Sequence, residues 1–126
     1  MAGARVLIVE DNEKNMKLVR DILQATGFSP VEASTGEQAL AVAAETTPAL
    51  VLMDIQLPDL DGAEALRRLR SDERTAAIPV LALTAQAMQG DRERFLAAGF
   101  DGYLSKPVDV DELIETVRRY CGGGTQ

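Results

Sequence analysis

Five times along this chain a short β-rich run gives way to a segment of helical periodicity, and that alternation leaves few architectures open. The runs Arg5–Val9, Leu50–Asp54 and Val80–Thr84 are apolar without polar alternation, as strands are when both their faces are covered. Ser29–Ala33 and residues 103–105 read as shorter strands. A first helix is expected from residue 12 or 13 to 26, with Val19, Ile22 and Leu23 inward and Gly27 as its stop. Ser34 or Thr35 can cap a second helix to about residue 45, carrying Ala39, Leu40 and Ala43 on one side. After the turn-rich loop 57–62, a third helix to about residue 70 is expected to bury Ala63, Leu66 and Leu69. A fourth spans residues 87–98 and ends at Gly99. Asp109 caps a fifth, which runs through Leu113, Ile114, Val117 and Tyr120.

Strands of this kind joined by helices imply a parallel sheet with helices on both faces, an α/β doubly wound fold. A chain of 126 residues is long enough for one core. The domain is read as residues 4–121, followed by a Gly-rich tail, 122–126, expected to fray. In open sheets of this class, sites lie beyond the carboxyl ends of the strands, where the strand order reverses. For the flavodoxin-like order 2-1-3-4-5, which is carried over from known five-stranded sheets, that point falls between strands one and three.

Composition removes several function classes. Without histidine the chain cannot host a Ser-His-Asp triad or a His-ligated zinc site, nor carry a phosphohistidine of its own. A net charge of −7 argues against direct nucleic-acid binding, which needs a basic surface. No apolar stretch approaches a membrane span, and Met1-Ala2-Gly3-Ala4 has no signal-peptide pattern. The single cysteine, Cys121, fits a reducing compartment, so a cytoplasmic location is expected.

The chemistry gathers at the strand ends. Glu10 and Asp11 follow the first strand and Asp54 ends the third, so three carboxylates are expected at one sheet edge. Like charges that close resist ionising together and call for a cation or a shared proton. All-oxygen ligation favours a hard divalent ion, Mg2+, with Mn2+ as the substitute. Thr84 with Ala85 ends strand four, and Lys106 with Pro107 ends strand five. A carboxylate, a metal, a hydroxyl and an ammonium around one point suit a phosphoryl group in transfer. Asp54 would attack phosphorus, and Thr84 and Lys106 would hold its oxygens. Ala85 would leave room for the donor and offer a backbone N–H, and Gln56 would lend a backbone carbonyl to the metal. Each residue alone is weak evidence, since a lone Asp54 is more often a cap or loop acid.

Taken together, Val9-Glu10-Asp11-Asn12, Met53-Asp54-Ile55-Gln56-Leu57-Pro58, Ala82-Leu83-Thr84-Ala85 and Leu104-Ser105-Lys106-Pro107 resemble the four signature segments of the two-component receiver domain, in order, over about residues 4–120. The resemblance implies phosphorylation of Asp54 by a histidine kinase or histidine phosphotransfer protein. It also implies Mg2+ held by Asp11, Asp54 and, through water, Glu10, where many members carry Asp. It further implies a cis Lys106–Pro107 bond, and a switch in which Thr84 turns toward the phosphoryl group and Tyr103 swings inward. That switch would change the surface of helix four, strand five and helix five for a downstream protein target; Tyr103 could equally be simple packing. A phosphorylation-dependent homodimer is left open.

Segments around Asn15-Met16-Lys17-Leu18 look most like single-domain cell-division regulators of the DivK type, so a stand-alone regulator is the preferred reading. A receiver from a hybrid kinase, passing phosphate along a relay, is the alternative. An aspartate-nucleophile phosphatase would need a second acid where Gln56 stands, and a flavin or nucleotide module would need a phosphate-cradling loop where Glu10-Asp11-Asn12 stands. The protein is therefore expected to be a signalling switch, not a metabolic enzyme. Asp59, Asp61 and residues 91–94 read as solvated faces and helix-end charges, and Met88 as core or partner surface.

Overall fold

The computed structural model describes residues 3–85 and 91–121. In chain order the elements are β1 (Arg5–Val9), α1 (Glu13–Ala25), β2 (Ser29–Ala33), α2 (Gly36–Thr46), β3 (Leu50–Asp54), α3 (Gly62–Ser71), β4 (Val80–Thr84), α4 (Asp91–Ala98), β5 (Gly102–Ser105) and α5 (Val110–Tyr120). All strand pairings are parallel, and the order is β2-β1-β3-β4-β5. The doubly wound, flavodoxin-like sheet expected from the sequence is therefore the one observed.

Period-two alternation along each central strand divides the core in two. Leu7, Val9, Val51, Met53 and Ala82 face α2, α3 and α4, where they meet Ala39, Ala65, Leu66 and Phe95. Val6, Ile8, Leu50, Leu52, Leu81 and Leu83 face α1 and α5, where they meet Val19, Leu23, Leu113 and Val117. Each fully buried Leu or Ile of this kind contributes about 1.5–3 kcal/mol of transfer free energy, so the central strands are fixed far more firmly than the loops beyond them.

The helix starts follow side-chain caps. Asn12 accepts from the Asn15 N–H, Thr35 from Gln38, Asp61 from Glu64, and Asp109 from Asp111 and Glu112. Thr35, not Ser34, thus caps α2. Most boundaries agree with expectation to within a residue. Ala63 does not follow the expected pattern: it is exposed, and Gly62, Ala65, Leu66 and Leu69 form the buried stripe of α3. With the helix starting at Gly62, positions three, four and seven residues on share a face, which leaves Ala63 outside it. The expected start of α4 at residue 87, along with Gln86, Met88 and residues 122–126, lies outside the described residues.

At the edge of the sheet remote from Asp54, Arg70 donates to the carbonyls of Ala76 (3.1 Å) and Ile78 (2.6 Å) and pairs with Asp101 at 3.0 Å. Asp101 also accepts from the Val80 N–H at 2.8 Å. Thr47, the C-cap of α2, holds φ at 41°, and Gly27 and Gly99 take positive φ after α1 and α4. A β-branched residue in the left-handed region is strained by roughly 1–2 kcal/mol, whereas Asn tolerates it. Thr47→Asn is therefore expected to stabilise the protein by about 1 kcal/mol, seen as a Tm several degrees higher in thermal unfolding.

Candidate phosphoacceptor site

Parallel register places the acids. Val9 pairs with Met53, so Glu10 and Asp54 emerge side by side where β1 and β3 end. One carboxylate oxygen from each of Glu10, Asp11 and Asp54 lies within 4.8 Å of the others. Glu10 and Asp54 are buried, and Asp11 faces solvent. Glu10 is held by the Asn12 N–H on Oε2 at 3.1 Å, and Asp54 by the Gln56 N–H on Oδ1 at 2.9 Å. These short turns orient both carboxylates before any ligand arrives.

Lys106 completes the cluster. Its backbone N–H donates to the Thr84 carbonyl at 2.8 Å, which continues the β4–β5 ladder. The Lys106–Pro107 bond is cis, in line with what the resemblance implies. The Lys106 Nζ donates to Asp54 Oδ2 at 2.8 Å and lies 2.7 Å from Glu10 Oε1. The second approach is an ion pair that misses hydrogen-bond geometry, so the buried Oε1 has no hydrogen bond. Part of the cation that three clustered carboxylates call for is thus the protein's own ammonium. In this state Lys106 sits on the acids.

The electrostatics are consistent with that contest. Burial raises the Glu10 carboxyl above its ordinary range, and the Lys106 ammonium and the Asn12 N–H only partly oppose it. For Lys106, burial works to lower the pKa, but its contacts with Asp54 and Glu10 prevail and raise it. Three carboxylates against one ammonium leave two negative charges to neutralise. An all-oxygen donor set and a buried oxygen without a hydrogen bond fit a hard divalent cation.

The other candidates sit around this centre. Thr84 is buried as the last residue of β4, and Ala85 follows it on the surface. Gln56 is exposed, two residues after Asp54, and bridges to Asp61. Tyr103 is half-buried on β5, its ring tilted against Phe95 with centroids 5.6 Å apart. Two further residues shape the site. A Cβ at Gly62 would stand 2.8 Å from the Ile55 Cα and 3.3 Å from the Asp54 carbonyl oxygen. Asp59 reaches back to the start of α2. Its Pro-Asp-Leu-Asp-Gly surroundings signal a turn and say nothing of a distant partner.

A doubly wound sheet that presents an acid cluster and a lysine at the ends of strands one, three and five defines a receiver module. The chain matches the family described as the response regulator receiver domain over residues 6–118, and it belongs to that family. Among named relatives it is similar to the polar-differentiation response regulator DivK of Brucella ovis, 49% identical over 117 residues, covering 93% of this chain and 95% of the relative. Among solved structures it is similar to the receiver domain of the sensor histidine kinase PA1611 of Pseudomonas aeruginosa PAO1, which has a magnesium ion coordinated in its active-site cleft. The TM-score there is 0.88 at 40% identity, covering 96% of this chain and 99% of that one. It is also similar to the receiver domain of the Saccharomyces cerevisiae response regulator Ssk1, crystallised with the histidine phosphotransfer protein Ypd1. In that case the TM-score is 0.87 at 31% identity, covering 96% and 90%. This chain is therefore a receiver domain of two-component signalling. Among the described residues, no helix is long and apolar enough to cross a membrane.

Proposed function

We propose that Asp54 accepts a phosphoryl group from the phosphohistidine of a partner kinase or phosphotransfer protein, and that the modified domain signals by protein contact. The observation that carries this reading is the convergence of Glu10, Asp11 and Asp54 within 4.8 Å, with the Lys106 ammonium 2.8 Å from Asp54. In the transfer, an Asp54 carboxylate oxygen forms a bond to phosphorus as the donor's N–P bond breaks, and the imidazole leaves with the electron pair. Asp11 and Asp54, the Gln56 carbonyl and, through water, Glu10 are the groups that would hold Mg2+, for which Mn2+ could substitute. When bound, the ion supplies charge neutralisation at the phosphoryl oxygens. Lys106 exchanges its contact with the carboxylates for one with the new phosphoryl group, Thr84 donates its hydroxyl, and Ala85 its N–H.

Moving one ammonium and one hydroxyl toward a new dianion biases the strands that carry them. Tyr103 follows Thr84 and alters the surface formed by α4, β5 and α5. Because the protein itself keeps the phosphoryl group, it is a switch with self-catalysed chemistry, not a metabolic enzyme. We place it in the cytoplasm. The Ssk1–Ypd1 pair supports a phosphotransfer partner, and the DivK relatives, named as response regulators, support a regulatory output. The kinase receiver at 40% identity favours a second reading, a relay intermediate. Back-transfer of phosphate to a histidine phosphotransfer protein, faster than any change in target binding, would select the relay.

The test is intact-mass analysis after incubation with Mg2+ and either acetyl phosphate or a phosphohistidine donor. One added phosphoryl group that disappears with chelator is expected. Absence of the adduct with both donor types would overturn the reading.

A further inference from the structure

This inference rests on the phosphoacceptor reading and concerns a residue outside the acid cluster. The loop between β3 and α3 carries Gln56, yet most of its residues are exposed or only half-buried. Its hydrogen bonds run mainly within the loop and to the two elements it joins: Gln56 to Asp54, and the Gly62 N–H to the Ile55 carbonyl at 3.0 Å. Ile55 pairs with Leu83 as the strand ends. Beyond Ile55, among the described residues, Asp59 is where hydrogen bonds tie the loop to an element other than those two, beside the apolar packing of Leu57 and Leu60. Its Oδ1 accepts from the Gly36 N–H at 2.7 Å and its Oδ2 from the Glu37 N–H at 2.9 Å.

That pairing completes a helix start. Thr35 accepts from Gln38, so the carboxylate takes the two N–H groups that the cap leaves over, at the positive end of the helix dipole. These N–H groups hold the Asp59 carboxyl below its ordinary range, Glu37 contributing most. The contact is close as well as polar. A Cβ on Gly36 would come within 2.9 Å of the Leu60 side chain, so the residue next to Asp59 lies directly against the helix start.

We propose that Asp59 is a positioning residue: bound to the first turn of α2, it holds the loop that sets the Gln56 backbone beside Asp54 and thereby sets the domain's affinity for Mg2+. Partners that orient a metal's ligands commonly govern affinity by about 10–100-fold. Asp59→Ala is expected to bind Mg2+ about tenfold more weakly by titration calorimetry. Its Gln56 and Gly62 amides should exchange faster in the metal-free protein. Asp59→Asn, with one acceptor oxygen for two N–H groups, should fall between. Thr35→Ala uncaps the same helix from its own side, so it should lower Tm comparably and leave the Mg2+ Kd unchanged.

Equal Kd for Asp59→Ala and wild type would overturn the proposal while wild-type binding leaves the phosphoacceptor reading standing. An equal rise in Kd for Thr35→Ala would overturn it too, because the effect would then belong to α2 stability. If the wild-type protein bound no Mg2+, both this proposal and the reading beneath it would fall.

Discussion

Lys106→Met should destabilise the metal-free protein by about 3 kcal/mol, in the range for removing one partner of a buried ion pair, and should make it bind Mg2+ more tightly. Both effects follow from one geometry. The Lys106 ammonium lies within 2.8 Å of two buried carboxylates and supplies positive charge to both at once. Methionine preserves much of the stem's packing but leaves the buried carboxylates of Glu10 and Asp54 without their counterion. A divalent cation then meets less competition for the same oxygens. Unit charges 4 Å apart at an effective dielectric of 20 interact by about 4 kcal/mol, and even a third of that is a tenfold change in Kd. Chemical denaturation with and without Mg2+ checks both effects, since the metal should restore more stability to the variant than to wild type. A variant that loses stability and binds Mg2+ no more tightly would mean that Lys106 is a packing residue and not the acids' counterion.

Gly62→Ala is the second large effect. The added Cβ would meet backbone, the Ile55 Cα at 2.8 Å and the Asp54 carbonyl at 3.3 Å, and no rotamer change relieves backbone. The start of α3 or the end of β3 must move, at about 1–3 kcal/mol. Loss of several degrees in Tm is expected, together with weaker Mg2+ binding because the displaced atoms belong to Asp54, the proposed phosphoacceptor, and to its neighbour. A Gly62→Ala protein with wild-type stability and wild-type Mg2+ affinity would show that the α3 start yields freely.

What the sequence discloses and what it hides divide along physical lines. Unbroken apolar runs such as Leu50–Asp54 and Val80–Thr84 are long enough to specify a strand and are followed by polar or loop-forming segments, and both bounds agree with the structure. Once the strand order carried over from known sheets sets β1 beside β3, parallel pairing brings Glu10 and Asp54 together. The inward face of α3 is misread at Ala63 because the helix phase depends on where it starts, and the buried start is a glycine without apolar signal. Asp59 reads as a solvated acid because its partners lie 22 and 23 residues away, across a pairing no local pattern encodes. The place of Lys106 at the end of β5, beside the acids, is legible from the sequence. Its contact with the acids is not, since that depends on the side chain's reach and on how little water surrounds Glu10.

Site mapping asks without intermediaries whether Asp54 carries the phosphoryl group. The protein is incubated with Mg2+ and acetyl phosphate, the acyl phosphate is reduced with borohydride, and the peptides are sequenced by mass spectrometry beside an Asp54→Asn control. Homoserine is expected at position 54 in the wild-type protein, dependent on Mg2+, with no conversion in the control. Conversion at Asp11 or elsewhere, or equal labelling of the Asp54→Asn protein, would contradict that expectation.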